Sequence, residues 1–209
     1  MSVSLVWSTP DAEKLVVKMA RVSNPANEDN WETGPKLLKY LLKHKHWSPF
    51  EMASMCIQID TERDIAAQIL RHRSFSFQEF STRYAKTAEA GTPWFRRQDE
   101  KNRQNSINDI HPFTQQELQH KAQRIIRESY ELYEFMMKRG VAKETARRIL
   151  PLCTPTSMYM TGTLRSWIHY ISIRASHETQ HEHRLIAQKC LTIFKKEFPI
   201  IAEAAFDNL

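Results

Sequence analysis

Hydrophobic and polar residues alternate most regularly over residues 53–59, which predicts a β-strand. The apolar face of that strand carries Ala53, Met55, Ile57 and Ile59. A shorter strand is predicted at residues 4–8, followed by a helix for which Thr9 is the N-cap and Pro10 the first residue. The N-terminal part of the chain is therefore predicted to contribute strands to a small sheet.

Apolar residues spaced three and four positions apart predict amphipathic helices in the remaining chain. The predicted helices lie around Leu15–Met19, Leu37–Leu42, Thr61–Leu70, Thr114–Gly140, 142–150, about 163–175 and about 178–197. Residues 85–113 are rich in polar and turn-forming residues and are predicted to form a long loop excursion. The pattern predicts an α+β fold, with a single helix-rich domain over residues 1–209, a small, mostly antiparallel sheet and long flanking helices.

Composition restricts the classes of protein to consider. No apolar run reaches the roughly 18 residues of a membrane span, and the N-terminus lacks the basic and apolar regions of a signal peptide. Cys56, Cys153 and Cys190 are odd in number and widely spaced, which argues against a disulfide framework and a zinc cluster. We therefore expect no membrane association and a reducing compartment, the cytoplasm, or the host cytoplasm if the source is a virus.

The net charge of +6 suits either nucleic acid or several phosphorylated ligands. The four glycines, Gly34, Gly91, Gly140 and Gly162, cannot form a GxGxxG motif or a P-loop. Any bound phosphate is therefore expected to be held by side chains and not by a glycine-rich backbone.

The densest cluster of polar side chains lies between Arg71 and Tyr84, with three phenylalanines interleaved among them. Arginine and serine side chains bind phosphate oxygens through charge-assisted hydrogen bonds, and aromatic side chains provide flat apolar walls for a ring. This combination predicts a pocket for a phosphorylated ligand that carries a ring. The alternative is a solvated basic turn.

The predicted helix near residues 163–174 offers polar groups in two directions. Thr163 and Arg174 are eleven residues apart and are predicted to share a face, whereas Arg165 and His169 share roughly the opposite face. In an oligomer with sites between subunits, both faces can be functional.

The pattern Arg71-His72-Arg73, followed by seven residues and Ser81, resembles the signature of the flavin-dependent thymidylate synthases. Three further segments, residues 46–51, 146–151 and 163–182, are similar to that family and occur in the family's order. Gln78, Thr163 and His169 stand where asparagine is common in the family, so the resemblance is close without being complete.

The resemblance implies an enzyme that methylates dUMP to dTMP. Methylenetetrahydrofolate would donate the carbon, reduced FAD would supply the hydride, and NADPH would regenerate the reduced flavin. The resemblance also implies a homotetramer with active sites shared between subunits, and no nucleic-acid partner or bound metal.

The family's motifs assign roles to individual residues of this chain. Arg174 would be the catalytic residue, which stabilises negative charge on the uracil ring. The dUMP-binding residues would be Gln68, Arg71, Glu79, Phe80, Ser81, Thr82, Arg83, Arg147 and Arg174. The FAD-binding residues would be Ser48, Arg71, His72, Arg73, Glu79, Thr163, Leu164, Arg165 and His169, with His46 near the folate.

Three other interpretations remain open. His177, Glu178 and His181 spell HExxH, the helical zinc motif of metalloproteases, although a protease would leave the cluster between Arg71 and Tyr84 unexplained. A basic nucleic-acid-binding module would explain the charge and the aromatic residues. Ser81 could be a nucleophile, but no histidine or lysine is identifiable as its activating base, so phosphate binding is the preferred role.

Overall fold

The computed structural model describes residues 1–207. In this range the strands are β1 Ser2–Ser8, β2 Ser54–Glu62, β3 Ser76–Glu79, β4 Arg97–Gln98, β5 Ser106–Ile107 and β6 Pro155–Thr163. The helices are α1 Ala12–Ala20, α2 Gly34–Lys43, α3 Arg63–Ile69, α4 Pro112–Lys138, α5 Lys143–Ala146, α6 Leu164–Arg174, α7 His181–Glu197 and α8 Pro199–Phe206. Short 3-10 helices cover Pro25–Asn27, Ser48–Glu51 and Arg147–Ile149.

The main sheet has the strand order β1-β2-β6-β3, and β4 pairs with β5 in a separate antiparallel ribbon. The predicted α+β class, with many helices and a small antiparallel sheet, is confirmed. None of the described helices is long and apolar enough to cross a membrane.

The fold comprises two compact units that interleave along the chain. Unit 1 contains Met1, Asp60–Arg71 and Glu79–Met158, whereas unit 2 contains Ser2–Ile59, His72–Gln78 and the chain from Tyr159 onward. The polar cluster predicted between Arg71 and Tyr84 is therefore divided, because residues 72–78 belong to unit 2 and its two ends belong to unit 1.

The core of unit 2 is built around α6. Trp167 is fully buried, and its indole N–H donates to the carbonyl of Met55 at 2.9 Å. The ring of Phe75 packs edge-on against that indole at 4.8 Å. Gly162 permits this packing, since a Cβ atom there would lie 2.5 Å from the Phe75 ring. Phe75, which belongs to the sequence cluster, is thus a core residue and not a wall of a pocket.

The core of unit 1 is built along α4, where Tyr133 is buried. The helix ends before Gly140, whose φ of 79° suits a left-handed C-terminal cap, as the sequence predicted. The excursion at residues 85–113 contains the β4–β5 ribbon, and Arg97 Nη2 pairs with Asp109 Oδ2 there at 2.7 Å.

Three predicted helix starts are wrong. Helix α1 begins at Ala12 and not at Pro10, since the Thr9 hydroxyl accepts a hydrogen bond from the Ser54 amide at 2.9 Å. Helix α4 begins at Pro112, with His111 as its N-cap, so the capping pattern at Thr114 lies inside the helix. Thr61 is a buried residue of β2, and α3 starts at Arg63.

Five elements were not predicted: the short strands β3, β4 and β5, and the longer β6 and α8. Strand β6 buries Thr156, Met158 and Met160 in alternation, a period-two signal that is present in the sequence. Helix α8 starts at Pro199, directly after α7. Residues 142–150 form α5 and a 3-10 turn where one helix was expected.

Candidate active site

A basic pocket lies in unit 1 at the end of the sequence cluster. Its cavity of about 490 Å³ is lined by Ser81, Arg83, Tyr84, Ala142, Lys143 and Glu144. Lys143 Nζ donates to the carbonyl of Tyr84 at 2.9 Å, and Arg83 pairs with Glu144 at 3.2 Å. These side chains are held near one another before any ligand binds. Lys143 was not predicted as a site residue, although it is the first residue of α5, which lies within the helix predicted at residues 142–150.

Arg147 is half-buried, whereas the neighbouring Arg148 is exposed. Arg147 Nη1 donates to the hydroxyl of Thr82 at 3.1 Å, and Thr82 is itself buried. Thr82 therefore orients Arg147. Of the two adjacent arginines, Arg147 is thus the half-buried one that bonds to a residue of the cluster.

Glu79 is fixed in unit 1 by two partners. Its carboxylate accepts from the Thr156 hydroxyl at 2.9 Å and lies 3.8 Å from Arg63. At the end of α3, the backbone N–H of Arg71 donates to the carbonyl of Gln68 at 3.3 Å. The side chains of Arg71, Phe80 and Ser81 are exposed and Gln68 is half-buried, so all four are accessible to a ligand.

A larger cleft lies in unit 2 along one side of α6. Its cavity of about 570 Å³ is lined by Trp47, Glu51, Ser74, Arg165, Ser166, Ile168, His169 and Ser172. Arg165 and His169 share this face, as their spacing predicted. Arg165 forms an ion pair with Glu51, which follows the predicted Ser48 in a 3-10 turn. We call this cavity the α6 cleft.

Two predicted flavin residues are used structurally by α6 itself. Thr163 is the N-cap and accepts from the Ser166 amide at 3.3 Å, so it precedes the first helical residue of α6. Leu164 is fully buried and its N–H donates to the carbonyl of Ala53 at 2.9 Å. Its side chain and N–H are therefore not accessible to a ligand in this chain.

Arg174, the last residue of α6, contacts a histidine of the sequence cluster. Its Nε donates to Nε2 of His72 at 2.9 Å. Burial lowers the pKa of His72 to about 4, assisted by the positive charge of Arg174 and by His169. His72 is therefore neutral near pH 7 and carries its proton on Nδ1, because Nε2 accepts from Arg174. The described residues provide no hydrogen bond to the Nη atoms of Arg174, which remain available to a ligand.

Two buried residues that were not predicted as part of the site, Tyr170 and His183, pack next to His72. The ring of Tyr170 meets that of His72 edge-on at 4.9 Å, and its hydroxyl lies 3.2 Å from Nε2 of His183. Both residues are fully buried, and Nδ1 of His183 has no hydrogen-bond partner in the part of the chain that the structure describes. Burial, with the charge of Arg174 and a contribution from His72, lowers the pKa of His183 to about 3. His183 is thus neutral near pH 7 and holds Tyr170, which packs against the His72 ring that contacts Arg174.

These histidines predict that acid destabilises the protein. The pKa values of His72 and His183 in the folded state, about 4 and about 3, lie below the ordinary value of 6.5. The unfolded chain therefore binds more protons, and stability is lost as the pH falls from 6.5 towards those values. The free energy of unfolding of His183→Leu should fall less than that of the parent between about pH 7.5 and about pH 5, measured by urea denaturation. His120→Leu, an exposed control on α4, should keep the parental slope. Equal slopes in all three proteins would contradict the assignment.

The HExxH segment does not form a zinc-binding helix. His177 lies in the turn after α6, whereas His181 is the first residue of α7. Both histidine Nδ1 atoms lie against Arg184, at 3.3 Å and 3.1 Å, and not facing a common metal position. No group of three histidine, cysteine or acidic residues in the described range is placed to hold a metal ion.

The three cysteines are free, as the sequence indicated. Burial raises the pKa of Cys190 to about 12 and also raises the pKa values of Cys56 and Cys153. All three thiols are therefore protonated near pH 7, which disfavours them as nucleophiles.

A comparison with known proteins identifies the family. The family model described as thymidylate synthase complementing protein matches residues 4–200. A "Probable flavin-dependent thymidylate synthase" of Paramecium bursaria Chlorella virus 1 is 52% identical over 92% of this chain and 90% of its own length. The chain belongs to the flavin-dependent thymidylate synthase family. The protease and nucleic-acid alternatives are not supported.

Two further relatives of this thymidylate synthase family member agree with that result. A flavin-dependent thymidylate synthase of Synechocystis is 49% identical over 92% of this chain and 88% of its own length. The crystal structure of the UMP/dUMP methylase PolB from Streptomyces cacaoi, bound with 5-Br dUMP, superposes with a TM-score of 0.86 and 27% identity. That match covers 97% of this chain and 93% of PolB.

Proposed function

We propose that this protein methylates dUMP to dTMP, with methylenetetrahydrofolate as the carbon donor and FAD as the redox cofactor reduced by NADPH. The observation that carries the proposal is 52% identity, over 194 residues, to a relative named as a flavin-dependent thymidylate synthase. The structural likeness to PolB, whose name specifies UMP and dUMP methylation, supports the nucleotide substrate. NADPH and the folate follow from the family and remain predictions.

The unit 1 pocket is the proposed site of the dUMP phosphate. A phosphate dianion requires cationic and hydroxyl donors, and the pocket offers Ser81, Arg83 and Lys143. Arg147 adds a second guanidinium, which is hydrogen-bonded to Thr82, the residue between Ser81 and Arg83 in sequence. Glu144 neutralises Arg83 in the free protein, so phosphate binding would exchange one anionic partner of Arg83 for another. Gln68, Arg71, Glu79 and Phe80 are the proposed contacts to the rest of the nucleotide.

Arg174 is the proposed catalytic residue. Its Nε is occupied by His72, which fixes the orientation of the guanidinium and leaves the Nη atoms to donate to a uracil oxygen. Donors held in place before reaction stabilise developing charge more effectively than donors that must first reorganise. A neutral His72 is essential to this arrangement, since a protonated imidazole would repel Arg174.

The α6 cleft fits part of a flavin. Its volume of about 570 Å³ lies in the usual range for ligand sites. Trp47 provides a flat ring and Ile168 further apolar contact, beside the polar groups of Arg165, His169 and Ser166. When bound, FAD would supply the hydride. The proposed contacts are Arg165 and His169 in the cleft, the adjacent Ser48, and residues of the cluster, namely Arg71, His72, Arg73 and Glu79. His46, just after α2, is the proposed neighbour of the folate.

We further propose a homotetramer whose active sites combine residues of different subunits. Helix α6 presents Arg165 and His169 to its cleft, whereas Arg174 at its C-terminal end contacts His72, which does not line the cleft. Shared sites are what the family resemblance implies, and the division of the α6 side chains between the cleft and His72 supports the proposal. A cytoplasmic location remains a prediction.

The absorption spectrum of the purified protein tests the flavin assignment. We expect oxidised flavin bands that shift when dUMP is added, because nucleotide and flavin are expected to share one site. The spectrum should bleach when NADPH is supplied without oxygen. A colourless protein that also fails to bind added FAD would refute the proposal.

A further inference from the structure

A second cavity lies next to the α6 cleft in unit 2. It measures about 520 Å³, lies between α2, α6 and the end of α8, and shares Trp47, Ile168 and Ser172 with the cleft. Because the same three side chains line both cavities, the two adjoin at Trp47, Ile168 and Ser172. A ligand bound in the second cavity would therefore lie next to whatever occupies the α6 cleft.

Lysines distinguish this second cavity. Lys39, Lys43 and Lys45 line it, and Asp207 is its acidic residue. Lys39 Nζ is paired with Glu203 at 2.7 Å. Lys43 and Lys45 are exposed, and no ion pair is found for either within residues 1–207. Two lysines of the second cavity are therefore available to an anionic ligand.

Lys45 stands at a backbone position that favours glycine. It follows α2 with a φ of 56°, the left-handed conformation in which glycine or asparagine usually ends a helix. Its N–H donates to the carbonyl of Leu42 at 3.1 Å, and the N–H of His46 donates to that of Leu41 at 2.8 Å. These bonds fix where the chain turns after Lys45, so the lysine and Trp47 border the same cavity.

We propose that Lys43 and Lys45 bind the carboxylates of the glutamate tail of the folate co-substrate. A folate carries a pterin ring, an aminobenzoyl ring and a chain of one or more glutamates, so its two ends require an apolar cleft and cations. The second cavity offers both, because Leu42, Trp47 and Ile168 line it together with the lysines, and it adjoins the α6 cleft proposed for the flavin. This inference rests on the proposed function, which makes a folate the carbon donor.

The same cationic chemistry could serve the phosphates of a dinucleotide. Carboxylate tails and phosphates are both anions, and exposed lysines act on either as point charges. The experiment must therefore compare folates that differ only in tail length with nicotinamide nucleotides that differ only in the 2′-phosphate.

The test measures binding of tetrahydropteroyl monoglutamate and triglutamate to the flavin-loaded protein by calorimetry at low salt. The parent should prefer the triglutamate by about three- to tenfold, the range that two exposed ion pairs provide. In the double variant Lys43→Gln/Lys45→Gln the preference should fall close to one, with flavin content unchanged. The control Lys195→Gln/Lys196→Gln removes the same charge from the exposed end of α7 and should keep the parental preference.

Two outcomes overturn this inference and leave the proposed function intact. One is binding of both folates with no preference for the triglutamate, or with a preference that survives in the double variant. The other is a double variant that binds NADPH more weakly than the parent with NADH binding unchanged, or that loses flavin, which would assign the lysines to a phosphate. If neither folate binds to the parent, the folate part of the proposed function fails together with the inference.

Discussion

Replacing Arg174 with alanine is expected to lower the turnover of dUMP by about two to three orders of magnitude, the usual cost of removing one preorganised donor. The fork of its guanidinium is oriented by His72 at 2.9 Å, so the variant loses a donor that is already held in place. Steady-state formation of dTMP under saturating substrates measures this loss. Arg139→Ala, which removes an exposed arginine stacked on Phe135 at the end of α4, is the matched control and should retain turnover. A small effect of Arg174→Ala would remove the central residue from the mechanism.

Arg174→Ala also tests whether sites are shared between subunits. Mixing it with an inactive Gln68→Ala protein and allowing subunits to exchange should restore activity, because some hybrid sites contain both intact residues. Gln68 belongs to unit 1 and Arg174 to unit 2. The Gln68 variant therefore has an unchanged unit 2, and the Arg174 variant has an unchanged unit 1. Size-exclusion chromatography must show that exchange has occurred. Exchange without recovered activity, or an active monomer, would contradict shared sites.

The second large effect is expected at the phosphate pocket. Arg83→Ala and Arg147→Ala should each weaken dUMP binding by about 10- to 100-fold, since a hydrogen bond to a charged group contributes about 1.5–3 kcal/mol. Flavin content should stay near that of the parent, because neither arginine lines the α6 cleft. Equilibrium titration with dUMP, followed through the flavin spectrum, measures the effect.

Two comparisons make that result specific. Lys86→Ala removes a cation of unit 1 that pairs with Glu134 outside the pocket, and dUMP affinity should not change. Ser81→Ala should weaken dUMP binding and leave measurable turnover. Complete loss of chemistry in Ser81→Ala, with dUMP affinity retained, would instead make Ser81 a nucleophile. Unchanged dUMP affinity in both arginine variants would show that the phosphate binds elsewhere.

Elements with strong periodicity could be predicted from the sequence, whereas their ends could not. Strand β2 buries Met55, Ile57 and Ile59 as the alternation indicated. The first helix was placed two residues early because the Thr9 hydroxyl, which looks like a cap, accepts from Ser54, 45 residues away in sequence. A local pattern contains no record of such a distant partner.

Site residues, too, could be predicted only where a local sequence pattern marks them. Arg71, His72 and Ser81 are recognisable because they lie in one short motif. His183 carries no local signal, as its role depends on contacts with Tyr170 and, through it, with His72 and Arg174. His72 and Arg174 themselves are 102 residues apart in sequence, and only the fold brings them together. Lys43 and Lys45 likewise could not be predicted as site residues, because only the fold places them around one cavity with Trp47 and Ile168.

The most direct test of the account is the fate of an isotopically labelled methylene carbon. Purified protein with FAD, NADPH, dUMP and methylenetetrahydrofolate carrying ¹³C in the transferred group should yield dTMP whose methyl group holds that label, detected by mass spectrometry. Omission of NADPH or of dUMP should abolish the product. Absence of labelled dTMP from flavin-loaded, folded protein that binds dUMP would contradict the proposed activity.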